Sequence, residues 1–325
     1  RRWHQRNLLG IAARDVFAHD NVERVGHDLT TLAEATLESA LQSLDPQIPF
    51  AVLGVGRFGG AELAYTSDLD LMFVHRGSSA SDTDEARKIA KALMRMVAGS
   101  TPATRLYDVD CDLRPEGKNG PLTRGIDSYA IYWREHALTW ERQAMTRARV
   151  VAGDQSLGDE LLDEIEPWVW GGGLSAEGIR EIRQMKARIE AERIPMGEDP
   201  DFHLKLGRGS LSDIEFTVQM LQLQYGVKAT GTIDGLRALA EGDVLDADDA
   251  EILNEAYGFC EQVRNRWFLV NSAPGDSMPT QPEFALWLAR SLDTEPGALR
   301  EHYRRVTRRS RTVVERLFYG LPSKG

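Results

Sequence analysis

Cysteine and long apolar runs are both scarce in this sequence. Only Cys111 and Cys260 occur in 325 residues, far apart. That excludes a disulfide framework and the paired-cysteine zinc spacings, and it points to a reducing, cytoplasmic setting. No apolar run approaches the roughly 20 residues of a membrane-spanning helix, and no secretory leader opens the chain. Basic residues are in deficit, 39 Lys and Arg against 50 Asp and Glu, for a net charge of -11. Such a chain has no general attraction for nucleic-acid phosphates or for an anionic membrane surface. The seven histidines show no metal-ligand spacing, and His136 and His203 read as structural. Internal repeats and low-complexity segments are absent. The chain begins at Arg1 and runs straight into helical sequence, so it reads as part of a longer protein.

What is present is ordinary globular composition, 42% hydrophobic and 27% charged, with length enough for two cores. Residues 1–45 read as helical, with Leu29, Leu32, Leu37, Leu41 and Leu44 near helical spacing. Phe50–Val55 and about Leu69–His75 read as buried strands. Gly77–Asp84 reads as a loop, Glu85–Val97 as a helix, about Arg105–Leu113 as a third strand, and Arg114–Gly125 as a loop rich in Gly and Pro. Beyond these the pattern is helical: Tyr129–Trp140, Leu161–Trp170, Ile179–Ile194, Leu211–Gln224, then one helix bearing Ile252 to Val270 and a last one bearing Leu299 to Leu317. Gly171–Gly173 and Pro195–Pro200 are hinge or loop candidates. The expectation is an α+β chain: a small mixed sheet with helices over 1–150, then an all-helical bundle over 151–325.

The chemistry sits in Gly54-Val-Gly56-Arg-Phe-Gly59-Gly60-Ala-Glu-Leu-Ala-Tyr-Thr-Ser67-Asp68-Leu-Asp70. Gly54-x-Gly56-x-x-Gly59 matches a dinucleotide-binding fingerprint. That motif needs a helix of about ten residues and then an acid at the far end of the next strand. Here eight residues separate Gly59 from Asp68, and the acids open the strand instead. The alternative fits better. On an extended strand Asp68 and Asp70 share one face, about 7 Å apart. Two carboxylates beside a glycine turn suit hard divalent cations and a triphosphate, whose oxygens backbone amides can approach. The third strand adds Asp108, Asp110 and Asp112, alternating onto one face. Acids from two adjacent strands can hold two metals for in-line nucleotidyl transfer.

These residues resemble the nucleotidyltransferase superfamily, whose pattern is a glycine turn, Asp-x-Asp and a distal Asp. More closely the chain resembles the glutamine synthetase adenylyltransferases. The matching stretches are Gly56–Leu71, Tyr107–Pro115, Thr139–Arg149 and Lys205–Phe216, in the family's order. The resemblance implies a nucleotidyltransferase-type fold and metal ligands Asp68, Asp70 and Asp110, with Asp112 the alternative third ligand. It implies Mg²⁺ (two ions, Mn²⁺ possible) and ATP as substrate, whose phosphates would meet Gly56, Arg57, Gly59, Gly60 and Ser67. Arg114 and Lys118, on the loop after the acidic strand, are placed to reach the triphosphate. The family's long chain carries two such modules, one adding AMP to a tyrosine of glutamine synthetase and one removing it. Tyr107-Asp-Val-Asp110, Trp140-Glu-x-Gln-Ala144 and Asp213-Ile-Glu-Phe216 look more like the adding module. By the same resemblance a PII-type signal protein and glutamine are the regulators. Family members often carry Lys at Arg57, Arg at Asp112 and Gly at Ser210.

Other features have plainer readings. Arg142, Arg147 and Arg149 spread around one helix as surface charge. Ser210 and Asp213 have the spacing of a capping box. Lys205 and Glu215 are weaker candidates for orienting nucleotide or protein substrate. Trp133 and Trp140 read as core. The final helix concentrates Arg304, Arg305, Arg308, Arg309, Arg311 and Arg316 in an otherwise acidic chain, most simply a solvated face.

Overall fold

The computed structural model describes residues 1–325 apart from 102, 193, 195–197 and 323–325. The chain divides into two compact units. The first comprises 1–11, 25–63 and 67–172; the second comprises 12–24, 64–66 and 173–325.

The first unit is built on a mixed sheet. Helices α1 (Arg2–Ala13) and α2 (Val22–Leu44) lead into β1 (Phe50–Gly54), and a single helical turn, α3 (Gly56–Gly59), leads to β2 (Leu69–His75). Next come α4 (Ala80–Ala98), β3 (Val109–Asp110), β4 (Thr123–Gly125), α5 (Ile126–Glu135), α6 (Thr139–Met145), β5 (Arg149–Gly153) and α7 (Gln155–Trp170). The sheet order is β3-β2-β1-β5, with β4 also on β2. β1 runs antiparallel to β2 and β5, while β3 and β4 run parallel to β2. β1 is buried throughout, and in β2 only Asp70 escapes full burial. Leu29, Leu32, Leu37 and Leu41 of α2, and Ile89, Leu93 and Val97 of α4, supply the helical side of the core.

Several expected elements differ. Only Val109–Asp110 of the third strand is extended, because the Asp110 side chain itself ends it: Oδ1 accepts the Asp112 amide at 2.7 Å and turns the backbone. Asp108, Asp110 and Asp112 therefore do not alternate along one strand. Helix α4 begins inside the expected 77–84 loop, since Ser79 and Asp82 form a reciprocal capping box at its start. The loop expected over 114–125 contains a 3₁₀ turn (Gly117–Asn119) and β4. Tyr129–Trp140 is two helices, because the Glu141 carboxylate accepts the Leu138 amide at 2.7 Å and starts α6 afresh. β5 was too short to stand out, with only Val150–Ala152 between Arg149 and Gly153. Residue 150 lies inside that strand. The first unit continues to Gly172, where Gly172 and Gly173 both adopt positive φ.

The second unit is helical: α8 (Ala176–Glu192), α9 (Leu211–Tyr225), α10 (Thr232–Glu241), α11 (Ala247–Asn271), α12 (Pro282–Ser291) and α13 (Pro296–Leu317). Part of the Pro195–Pro200 segment lies outside the described residues. α10 and α12 are additions to the expected set. α10 is interrupted in sequence by Gly235, whose missing side chain makes room for Val218: a Cβ there would lie 2.7 Å from Val218 Cγ1. The long α11 buries Leu253, Ala256, Cys260 and Val263, and α13 packs on it through Leu299, Tyr303, Val306 and Val313.

A buried charge cluster ties three of these helices. Asp213, with a fully buried side chain, pairs with Lys186 of α8 at 2.7 Å and Arg311 of α13 at 2.9 Å. Its Oδ2 accepts the Gly209 amide at 2.7 Å, while Ser210 Oγ donates to Gly207 O. The Ser210–Asp213 spacing thus makes an ion-pair anchor and no reciprocal capping box. Arg311 is thereby removed from the solvated arginine face. Despite the cost of burying Asp213, the two cations hold its carboxyl below the usual carboxylate range.

His203 is buried, and its Nδ1 accepts the amides of Leu206 (3.0 Å) and Lys205 (3.3 Å). Burial holds this imidazole, and that of His75, below the ordinary histidine range. Unfolded histidines take up protons near pH 6.5 while these two stay neutral, so the unfolded state binds more protons in that window. Stability is therefore lost as pH falls below about 6.5. The urea midpoint is expected to drop between pH 7 and pH 5, and to drop less in His203→Gln; an equally steep profile in that variant would contradict the assignment.

Candidate active site

The site forms where β1, β2 and β3 meet the glycine turn. β2 brings Asp70, and Asp110 is its direct partner across the parallel β2–β3 ladder. Asp68 lies just before β2, whose first residue, Leu69, donates its amide to Asp108 O at 2.8 Å. Carboxylate oxygens of Asp68, Asp70 and Asp110 all lie within 4.8 Å of one another, with Asp68 exposed and the other two half-buried. Like charges directly opposite on a sheet repel. Three hard oxygen donors converging at this range fit a divalent cation.

Gly56 explains why the turn needs glycine. Its φ is +56°, and a Cβ there would sit 2.2 Å from Asp70 Oδ2. The backbone is thus pressed against the carboxylate, and Val55 N donates to Asp70 O at 3.0 Å. Gly59 is needed for a different reason, since a Cβ would meet Arg147 O at 2.0 Å. The amides of Gly59 and Gly60 are used inside the turn, on Val55 O and Gly56 O. These two glycines therefore shape the turn, and their amides are not offered to a phosphate. Arg57 and Ser67 are both half-buried, Arg57 on the turn and Ser67 next to Asp68.

The loop after β3 redistributes the expected roles. Asp112 turns away to pair with Lys118 at 3.1 Å and lies 3.8 Å from Arg114. Arg114 spends its guanidinium on its own loop, donating to Cys111 O, Lys118 O and Gly120 O at 2.7–3.1 Å. It thus holds the loop together and does not extend from it. Lys118 Nζ remains largely exposed. Burial pushes the Cys111 thiol up to about 12, so it has no nucleophilic role.

Supporting roles emerge that the sequence did not assign. Glu141, completely buried, accepts Tyr132 OH (2.7 Å) and the Glu116 amide (3.1 Å) as well as Leu138 N, so it anchors the loop that follows Asp110. Its three-residue spacing from Leu138 was the available signal. Arg147 is also buried, against Glu62 at 3.2 Å. Arg149 lies on β5, donates to Gly59 O at 3.2 Å and pairs with Glu34 at 2.5 Å. The three arginines of this stretch therefore sit on α6, a turn and a strand. Two of them hold the glycine turn, and Arg142 donates to the carbonyls of Val169 and Gly171.

Residues 1–164 match the family described as glutamate-ammonia ligase adenylyltransferase. The chain belongs to that family. Residues 180–321 match a second description, GlnD PII-uridylyltransferase. Among curated relatives, bifunctional glutamine synthetase adenylyltransferase/adenylyl-removing enzymes of Streptomyces avermitilis and Streptomyces coelicolor are each 40% identical, over 97% and 92% of this chain. The enzyme of that name from Mycobacterium tuberculosis is 38% identical over 97%. The chain spans about a third of the length of these relatives, covering 35%, 32% and 34% of them. Within this adenylyltransferase family, the four matched stretches now have physical content. Two build the carboxylate cluster, the third supplies Glu141, Arg147 and Arg149, and the fourth supplies Asp213.

Replacing Gly56 by Ala would force the Asp70 carboxylate aside. Gly56→Ala is expected to weaken Mn²⁺ binding more than about tenfold while leaving the far-ultraviolet circular dichroism unchanged. Native-strength binding in that variant would show that the turn does not set the carboxylate's position.

Proposed function

We propose that this chain is the adenylylating module of its family, transferring AMP from ATP to a tyrosine of glutamine synthetase with release of pyrophosphate, in the cytoplasm. The observation that carries this reading is the convergence of Asp68, Asp70 and Asp110 beside the Gly56 turn, in a chain of an adenylyltransferase family. The resemblance of Tyr107–Asp110, Trp140–Ala144 and Asp213–Phe216 favours the adding module over the removing one.

In the proposed reaction the tyrosine oxygen attacks the α-phosphorus, the bond from that phosphorus to the β-phosphate bridge breaks, and the hydroxyl proton passes to a carboxylate or water. Asp68, Asp70 and Asp110 would hold two Mg²⁺ ions, with Mn²⁺ able to replace them. When bound, the ions would lower the pKa of the incoming hydroxyl and neutralise charge on the departing pyrophosphate. The turn at Gly56 lets the backbone come close to the nucleotide, with Arg57 and Ser67 at its two ends. Lys118, on an exposed side chain, is the remaining cation of the 114–120 loop that can reach the phosphates.

The helical unit is the proposed docking surface for glutamine synthetase and for the regulators, a PII-type protein and glutamine. Its match to a PII-uridylyltransferase description supports the first regulator. A cavity of about 530 Å³ bordered by Glu190, Glu198, Asp201 and Arg208 offers acids and a cation suited to a small zwitterion such as glutamine. Nucleic acid and membrane are not proposed partners.

The test is transfer of label from α-³²P-ATP to purified glutamine synthetase with Mg²⁺. Asp70→Asn and Asp110→Asn are each expected to lose at least about 100-fold. Asp112→Asn, which breaks only a partly exposed pair, should stay within about threefold. Full activity in Asp110→Asn with an intact fold would overturn the ligand assignment. Phosphate-dependent release of AMP from labelled glutamine synthetase, without transfer, would establish the removing module instead.

A further inference from the structure

Of the three carboxylates, two are fixed by the sheet. Asp70 lies within β2, and Asp110 is its ladder partner and turns its own backbone. Asp68 has neither restraint. It follows the irregular stretch 60–68, which leaves the first unit for three residues, Ala64–Thr66, that pack with the helical unit. What holds that stretch is therefore what holds Asp68.

The centre of the stretch is Tyr65, and it is gripped at several points. Its hydroxyl donates to Asp15 Oδ2 at 3.0 Å. The ring stacks on Phe268 of α11, with centroids 5.9 Å apart and planes 17° from parallel. Its amide reaches Asn265 Oδ1 at 3.4 Å. Asp15 is in turn held by Arg266, whose Nη2 donates to Oδ1 at 3.0 Å and to the Asp15 carbonyl at 2.9 Å. Both charged side chains are almost wholly buried, at 6% and 3% exposure. Arg266 Nη1 donates onward to Ser291 O at the end of α12. Asp15 lies in a π-helical turn, Arg14–Ala18, a local irregularity that proteins retain where a side chain must be aimed. Burial, followed by the Asp15 charge, raises the Tyr65 hydroxyl above the usual tyrosine range, so it remains a donor throughout the working pH range.

A buried ion pair is costly to assemble, and this one holds a tyrosine hydroxyl on a loop as well as the carbonyls of Asp15 and Ser291. We infer that Tyr65, Asp15 and Arg266 are positioning residues for the metal site: they fix the loop that carries Asp68. This rests on the proposed metal site. None of the three belongs to the carboxylate cluster of Asp68, Asp70 and Asp110. A change at Asp15 or Arg266 would reach Asp68 through three peptide bonds, Tyr65 to Asp68.

The test is Mn²⁺ binding to the full chain, followed by electron paramagnetic resonance, alongside thermal melting. Tyr65→Phe keeps the stack on Phe268 and removes only the hydroxyl. It is expected to bind Mn²⁺ about tenfold more weakly, to raise the Mg²⁺ concentration needed for half-maximal transfer by a similar factor, and to recover the native rate at saturating Mg²⁺. Rescue by excess metal is the outcome a merely structural defect would not give. Should Tyr65→Phe not fold, Phe268→Leu, which removes the stack, is read the same way. Native Mn²⁺ affinity in the folded variant, whatever its melting temperature, overturns the inference. Asp70→Asn separates the two readings: if it binds Mn²⁺ as the native chain does, the metal site itself is wrong and the positioning role falls with it.

Discussion

Three carboxylates are held within 4.8 Å of one another, and much of the first unit serves to keep them there. Left to themselves, like charges on adjacent parallel strands would part. The sheet prevents this for Asp70 and Asp110 by direct pairing. The turn at Gly56 leaves no space behind Asp70 for even a methyl group. Such an arrangement works against stability, as is usual where chemistry is done.

Within each unit, paired charge is used as scaffold. Glu62 with Arg147, and Arg149 with Glu34, fix the glycine turn from behind. Glu141 gathers three donors and fixes the loop beyond Asp110. Arg114 does the same from inside that loop. In the helical unit, Asp213 takes Lys186 and Arg311 from two other helices. Glu141, Arg147 and Asp213 are withdrawn from water and partnered, the condition under which burial is tolerable. Several of these residues look from sequence alone like catalytic candidates or solvated charge, and the structure gives them a third role.

The legible parts of the fold were those written in side-chain periodicity. Leu29 to Leu41 gave α2, the apolar runs gave β1 and β2, and the long amphipathic patterns gave α11 and α13. The mixed sheet with a helical segment after it follows from these, as does the pairing of the glycine turn with Asp68 and Asp70. What stayed hidden depended on short or non-local contacts. β5 has three apolar residues and exists because β1 needs a partner. β4 is a three-residue strand that takes the rest of the β2 edge. The end of β3 is decided by one side chain accepting an amide two residues on, which no alternation pattern encodes. That single turn also sends Asp112 to Lys118. Arg147 read as surface charge because its partner, Glu62, is 85 residues away in sequence.

Asp68, Asp70 and Asp110 are proposed to hold the catalytic metal together. The most direct measurement is a crystal structure of the chain with Mn²⁺ and a non-hydrolysable ATP analogue, the ions located by their anomalous scattering. Anomalous peaks directly coordinated by all three carboxylates are expected, with the triphosphate against the Gly56 turn and Asp112 still on Lys118. Peaks coordinated by Asp112 in place of Asp110, or a nucleotide bound with no ion among these acids, would contradict that proposal.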